Sequence, residues 1–253
     1  MSLNTNTTHP KLQVSEMAEN LVGSEIIKLA GEIKALIAKG EKIHNFTIGD
    51  FNPQIFPIPA ELNSGIQDMY AKGQTNYPAS NGMEELRETV SDYLKERAQL
   101  TYSTNEILVS GGARPLIYAV YQTLVDPGDE VVFPVPSWNN NHYTHLTRGK
   151  STFIQTTPDS NFMPTAEDLR GKLENARLLA LCSPLNPTGT VFSKEQLLGI
   201  CEMVIEINQH RERKGEKPLY LLYDQIYWQL TFGETQHYDP VNLMSEMRPY
   251  TIF

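Results

Sequence analysis

Cysteine is scarce in this sequence: Cys182 and Cys201 are the only two in 253 residues. Neither has the paired spacing of a zinc or redox motif, so both are read as packing residues of a protein in a reducing compartment. Long apolar runs are missing as well, and no stretch approaches the roughly 20 apolar residues that cross a bilayer. The polar start, MSLNTNTTHP, has no apolar core of signal-peptide length. These absences set the expectation of a cytoplasmic protein with no membrane partner. An excess of positive charge is also lacking: the formal net charge is -9, with both signs mixed along the chain. Such a surface does not hold a phosphate backbone, so nucleic acid is not an expected partner. Neither a Walker loop nor a G-x-G-x-x-G fingerprint occurs, and there is no internal repeat.

What is present is the composition of an ordinary globular protein, 40% hydrophobic and 20% charged. The length suits one large domain or two smaller ones. SEIIKLAGEIKALIAKG (Ser24 to Gly40) has helical spacing of Ile26, Ile27, Ala30, Ile33 and Ile37. The Pro-rich FTIGDFNPQIFPIPAEL that follows is expected to be a linker or substrate-facing loop. From there strand and helix signals alternate. MEELRETVSDYLKERA is helical, EILVS a strand, ARPLIYAVYQTLV a helix and EVVFPV a strand. STFIQTT is a strand, TAEDLRGKL holds a short helix, RLLALCS is a strand, KEQLLGICEMVIEINQH a helix and PLYLLYD a strand. This alternation predicts an α/β fold with a largely parallel sheet and helices on both faces. In such folds ligands bind at the carboxyl ends of strands.

Four of those ends carry chemistry. In VSGGARPLIYAV, Ser110, Gly111 and Gly112 join a strand to a helix whose free N–H groups suit a phosphate, although the same turn can hold nothing. In VVFPVPSWNNNHY, Trp138 is either core or a platform for a flat heteroaromatic ring. His142 and His145 nearby lack a third ligand signal for a metal site. In LLALCSPLNPTGTVFS, the turn at Asn186 can be purely structural, or its amide can donate to a phenolate. In LYLLYDQIYW, Asp224 either caps the next element or faces a cationic ligand, with Tyr227 three residues on. A phosphate, a flat ring, a phenolate and a ring nitrogen together describe pyridoxal phosphate. A carboxylate in a low-dielectric crevice keeps such a ring nitrogen protonated.

With these motifs in this order, the chain resembles the class I/II pyridoxal-phosphate-dependent aminotransferases, the aspartate aminotransferase superfamily of fold type I. The resemblance runs from about Leu21 to the end of the chain. It implies that Gly112, Ala113 and Arg114 contact the cofactor phosphate and that Trp138 stacks on the ring. It places Asn186 and Tyr227 at the phenolic oxygen and Asp224 at the pyridine nitrogen. Tyr77, in NYPASNGMEELR, matches a tyrosine that reaches the phosphate held by a neighbouring subunit, which implies a homodimer with shared active sites. Gly49 matches the glycine of a segment that closes over the substrate, although FTIGDFNP departs from the commoner G-E-P-D-F pattern. Trp138 and Asn186 are expected to touch substrate as well. Two cis peptide bonds, Val135-Pro136 and Asn186-Pro187, are also implied.

The expected division is residues 1–55 as arm, helix and loop of a small domain, and 56–253 as the first part of the large cofactor-binding domain. The family's Schiff-base lysine follows the D-x-x-Y strand, yet no lysine follows Asp224 here. The chain is therefore expected to be the first part of a longer protein. Lys194 is a poor substitute, because Ser193-Lys194 opens a helix and reads as a solvated first turn. The expected activity is amino transfer from an L-amino acid to a 2-oxo acid. Rivals on the same scaffold are a lyase or a cyclopropane-forming synthase, since fold and cofactor do not set the reaction. From other classes come a non-catalytic regulatory domain, for which too few residues precede the family-like region, and a truncated pseudoenzyme that only dimerises.

Overall fold

A computed structural model of the protein describes residues 13–23, 25–47, 49 and 51–253. Ser24, at the start of the expected first helix, lies outside the described residues. The helices are α1 (Glu16–Glu19), α2 (Glu25–Ala38), α3 (Ala60–Ala71), α4 (Glu84–Ala98), α5 (Ala113–Leu124), α6 (Asn140–Leu146), α7 (Ala166–Leu169), α8 (Lys194–Lys214) and α9 (Pro240–Leu243). The strands are β1 (Glu130–Val135), β2 (Lys150–Gln155), β3 (Ala176–Cys182), β4 (Tyr220–Asp224) and β5 (Thr251–Ile252).

Among the described residues these strands form one sheet in the order β2-β1-β3-β4-β5. Every pairing is parallel. Side chains alternate across the sheet and build a core on each side. Val131, Phe133, Leu178, Ala180 and Leu222 pack with Tyr121 of α5 and Tyr143 of α6. Val132, Leu179, Leu181, Leu221 and Tyr223 pack with Leu197, Ile200, Cys201 and Val204 of α8. Helices therefore cover both faces, as the alternation of elements predicts. Both cysteines are free and buried. Asp224 ends β4 two residues after Leu222, so its side chain belongs to the α5 and α6 side. After β2 the chain returns to the other side of β1, and strand order reverses between β1 and β3. The crevice at that reversal is where an open α/β sheet takes its ligands.

Helix α8 shows how local sequence sets these elements. Ser193 caps it, accepting from Gln196 N while the Gln196 side chain returns the bond in a capping box. Leu197, Ile200, Cys201, Val204, Asn208 and Arg211 form its buried stripe, and Gly215 ends it at φ +68°. From that stripe Asn208 reaches β4: its Nδ2 donates to Leu219 O at 2.9 Å, and Leu219 N donates to its Oδ1 at 2.7 Å. One side-chain amide thus satisfies a buried peptide at the entrance to the strand that carries Asp224.

Three expectations need correction. EILVS is not a strand: a 3-10 turn covers Thr104–Glu106, and residues 107–110 have no ladder partner. Strand-type residues become a strand only beside another edge, and the sheet's edge here is the short β5. Val109 N instead donates to Asn81 O at 3.1 Å. A Cβ on Gly82 would come 2.7 Å from Val109 Cβ, so only glycine allows this approach. Second, α3 lies at the end of a stretch that reads as a loop; its Asn, Ser and Gly, with proline before it, mask a helix in sequence. Third, α6 starts on a run of asparagines, poor helix formers, and was not expected. The bonds Val135-Pro136 and Asn186-Pro187 are cis, as the resemblance implies, and Ser183-Pro184 is cis as well. Among the described residues none before Gly82 is buried, and α2 and α3 expose Ile27, Leu29, Leu62 and Met69.

Replacing Asn208 with alanine is expected to cost roughly 3 kcal/mol of stability, because it strands a buried N–H and a buried carbonyl together. Urea unfolding followed by circular dichroism measures this, and an unchanged midpoint would mean that water replaces both bonds.

Candidate functional site

The site begins where β1 ends. After the cis bond at Pro136 the chain reaches Trp138, half-buried, and Asn139, at φ 58°. The guanidinium carbon of Arg114, in the first turn of α5, lies 5.5 Å from the Trp138 ring centroid. With the Asn139 amide turned to satisfy its neighbours, its Oδ1 accepts from Arg114 Nη2 at 3.2 Å and from Trp138 Nε1 at 3.1 Å. Asn139 thereby ties the indole to the helix. The N-cap of α5 is Gly112, at φ 119°, with no side-chain cap. No atom lies within 4 Å of a Cβ built there, so conformation, not space, calls for glycine. The amides of the first turn are left uncapped, ready for an anion.

The ends of β3 and β4 supply the other half. Cys182 stands opposite Asp224 in the ladder, and Ser183 N donates to Asp224 O at 3.0 Å. The Asn-Pro-Thr-Gly turn closes with Leu185 N donating to Thr190 O at 2.7 Å and Gly189 N to Leu185 O at 2.7 Å. Because the strands are in register, their turns meet: Asn186 Nδ2 donates to the Tyr227 hydroxyl at 3.5 Å, across a separation of 41 residues. The structure brings these two expected residues together.

Asp224 Oδ1 accepts from Ile226 N at 3.2 Å, which braces the turn at 226–229 and caps no helix, since none follows β4 before α9. That bond does not compensate its burial: desolvation raises the carboxyl pKa above the usual range, and the amide bond opposes the shift only in part. Among the described residues no salt bridge reaches it. Asp224 shares a cavity of about 260 Å³ with Ala113 and Ile117 of α5, Leu222 and Trp228. A larger cavity, of about 450 Å³, lies beside His145, Arg148 and Gly149 at the amino end of β2, away from the strand ends. The smaller cavity is mostly apolar, and of the expected site residues Ala113 and Asp224 line it. Tyr143 of α6 was not singled out in the sequence. Burial raises its phenol, while the Arg114 charge lowers it and the Asp224 charge raises it, so it lies within electrostatic range of both.

Other expected residues stand apart. Tyr77 is fully exposed, at 102%. Gly49 is exposed too. Lys194 is the exposed first residue of α8, as its context predicts. His145 places Nε2 2.8 Å from Met17 O. No cluster of three or more His, Cys, Asp or Glu side chains suited to a metal occurs among the described residues. Helices long and apolar enough to cross a membrane are likewise absent among them. The donor set fits pyridoxal phosphate: uncapped helix amides for its phosphate, an indole for its ring, an amide and a phenol for its phenolic oxygen, and a half-buried carboxylate with no cationic partner among the described residues for its ring nitrogen.

Comparison with known proteins points the same way. The family described as aminotransferase class I and II matches residues 41–251. The chain is 27% identical over 243 residues to an aspartate aminotransferase of Bacillus sp. (strain YM-2), across 94% of this chain and 58% of that protein. It is 35% identical over 166 residues to a putative aminotransferase of Bacillus subtilis, across 64% of this chain and 40% of the other. Among solved structures, the aspartate aminotransferase of Rhizobium meliloti superposes with a TM-score of 0.83 at 25% identity, over 95% of this chain and 57% of that one. The chain thus spans less than two thirds of the length of these relatives.

Replacing Asp224 with asparagine is expected to stabilise the ligand-free protein at pH 7 by about 1 kcal/mol, since it removes a partly desolvated charge and keeps the acceptor for Ile226. A raised folded-state pKa means that the folded carboxyl takes up its proton before the unfolded one does as pH falls. The advantage of the variant should therefore shrink as pH falls through that raised value and be gone below about 4, where both states are protonated. Thermal melts across pH test both halves; a variant no more stable than wild type at neutral pH would show that water pays the desolvation of Asp224.

Proposed function

Because the chain belongs to the aminotransferase class I and II family, we propose that its protein transfers an amino group from an L-amino acid to a 2-oxo acid with pyridoxal phosphate, as a cytoplasmic homodimer. The observation that carries this reading is the half-buried, desolvated Asp224 carboxylate, without a cationic partner among the described residues, at the strand end beside the Asn186–Tyr227 pair. When bound, the cofactor supplies an electron sink for the bonds at the substrate α-carbon. Asp224 keeps a proton on the ring nitrogen, which deepens that sink. Asn186 Nδ2 and the Tyr227 hydroxyl hold the phenolic oxygen. The backbone amides of Ala113 and Arg114 would bind the phosphate at the positive end of α5, with Gly112, whose own N–H donates to Ser110 O at 2.8 Å, opening the way to them. The Arg114 side chain, occupied by Trp138 and Asn139, leaves that work to its amide. Trp138 covers one face of the ring and keeps water from it, and with Asn186 it borders the substrate.

In the same reading, Tyr77 reaches the phosphate of a partner subunit, which accords with its exposure on its own chain. Gly49 belongs to the segment that closes over the substrate. Residues 1–55 go to a small domain and 56–253 to the large one. No lysine of this chain is assigned the cofactor-anchoring role; Lys194 is the exposed first residue of α8.

The test supplies purified protein with pyridoxal phosphate, an amino acid and 2-oxoglutarate. Consumption of the oxo acid one for one with the amino acid is expected. Free ammonia in its place would make the protein a lyase on the same scaffold, and no turnover with any donor would sink the reading. Asp224→Asn is expected to lower turnover on the order of 100-fold, the scale of losing one preorganised electrostatic contact, with a much smaller change in cofactor affinity. Borohydride trapping of the cofactor followed by peptide mapping should label none of the lysines in residues 1–253; stoichiometric label on Lys194 would overturn its assignment to solvent.

A further inference from the structure

The turn that aims Asp224 and Tyr227 is held from behind by one imidazole. His237 stacks on Tyr223, the residue before Asp224, with centroids 5.9 Å apart and planes at 30°. Its Nε2 lies 2.8 Å from Oε1 of Gln225, the residue after Asp224. Its ring also meets Trp228, just past Tyr227, at 6.5 Å and 54°. The strap that carries it is tied to β4 by the Tyr223 hydroxyl, which donates to Tyr238 O at 2.9 Å. A single ring thus touches the residues on both sides of Asp224 and the one beyond Tyr227.

Its protonation follows from its neighbours. The Gln225 amide turns its Oε1 toward the ring, 2.8 Å from Nε2. An amide turned this way offers only Oε1 to the imidazole, so Nε2 carries the ring proton. Nδ1 is then a bare nitrogen, buried and without a partner among the described residues. Charging the ring would bury an N–H with no acceptor, and burial holds the His237 pKa down at about 4. The ring is neutral at pH 7 and does not serve Asp224 as a counter-ion.

We propose that His237 is a positioning residue, whose Nε2–H bond to Gln225 fixes the turn in which Asp224 meets the cofactor ring nitrogen and Tyr227 its phenolic oxygen. This rests on the pyridoxal-phosphate reading of the site. His237→Phe keeps a ring on Tyr223 and loses the donor, while His237→Gln loses the ring and keeps a donor. If the hydrogen bond positions the turn, His237→Phe should weaken pyridoxal phosphate binding about tenfold, and His237→Gln should stay within about threefold. Gln225→Leu should match His237→Phe, and the double variant should be no worse than either single one. A packing role alone predicts the reverse order, with His237→Phe silent and His237→Gln impaired, and that order would overturn the proposal. Nitrogen-15 spectra of the ligand-free wild type give a second readout: a protonated Nε2 and bare Nδ1 at pH 7 support it, and the opposite tautomer or a charged ring refutes it. If wild type itself binds no pyridoxal phosphate, the cofactor reading falls and this proposal with it. Equal binding by wild type and His237→Phe removes the proposal alone.

Discussion

The parallel pairing of β3 with β4 is the constraint on which the candidate site depends. It sets Cys182 opposite Asp224 and runs on one step further, through Ser183 N to Asp224 O, into the turns themselves. A slip of one residue would turn Asp224 to the α8 side of the sheet and separate Asn186 from Tyr227. Two cores guard this register, because Leu178, Ala180 and Leu222 must meet α5 and α6 while Leu179, Leu181, Leu221 and Tyr223 must meet α8. The apolar packing that stabilises the sheet therefore also aims the polar groups at its end.

Electrostatically the site is a pair of unmet demands. At one end α5 presents uncapped amides behind Gly112, and at the other Asp224 is partly desolvated with a single amide bond. Each suits one end of the same kind of molecule, a phosphate for the helix and a ring cation for the carboxylate. A partly desolvated carboxylate without a counter-charge lowers stability, and a bound cation would recover that loss. Neutral groups support the arrangement: Asn139 between Arg114 and Trp138, and His237 behind the β4 turn.

Much of this was legible in the chain. Strands β1, β3 and β4 read as apolar runs ended by turn residues, and helices α4, α5 and α8 read by their period and their stops. The motif residues Gly112, Trp138, Asn186 and Asp224 stood out because each follows a strand signal. The elements that escaped had weak local signals. The asparagines of α6 and the Asn, Ser and Gly of α3 favour turns as readily as helix. Residues 107–110 erred the other way, with strong strand propensity and no partner edge, so that Val109 packs on Gly82 instead. Tyr143 and His237 went unnoticed because an isolated aromatic or histidine looks like core until its neighbours are known.

The sequence by itself determined the periods, caps and breakers, and with them an α/β fold whose chemistry sits at strand ends, since such signals act over a few residues and need no distant partner. Only the tertiary structure decided which ends meet. It put Asn186 beside Tyr227, set Asp224 on the wall of a cavity with Ala113, and left Arg114 on an indole. It also decided that Asp224 is desolvated enough to favour a cation, because burial is a property of everything packed around a group, and no run of neighbouring residues contains it.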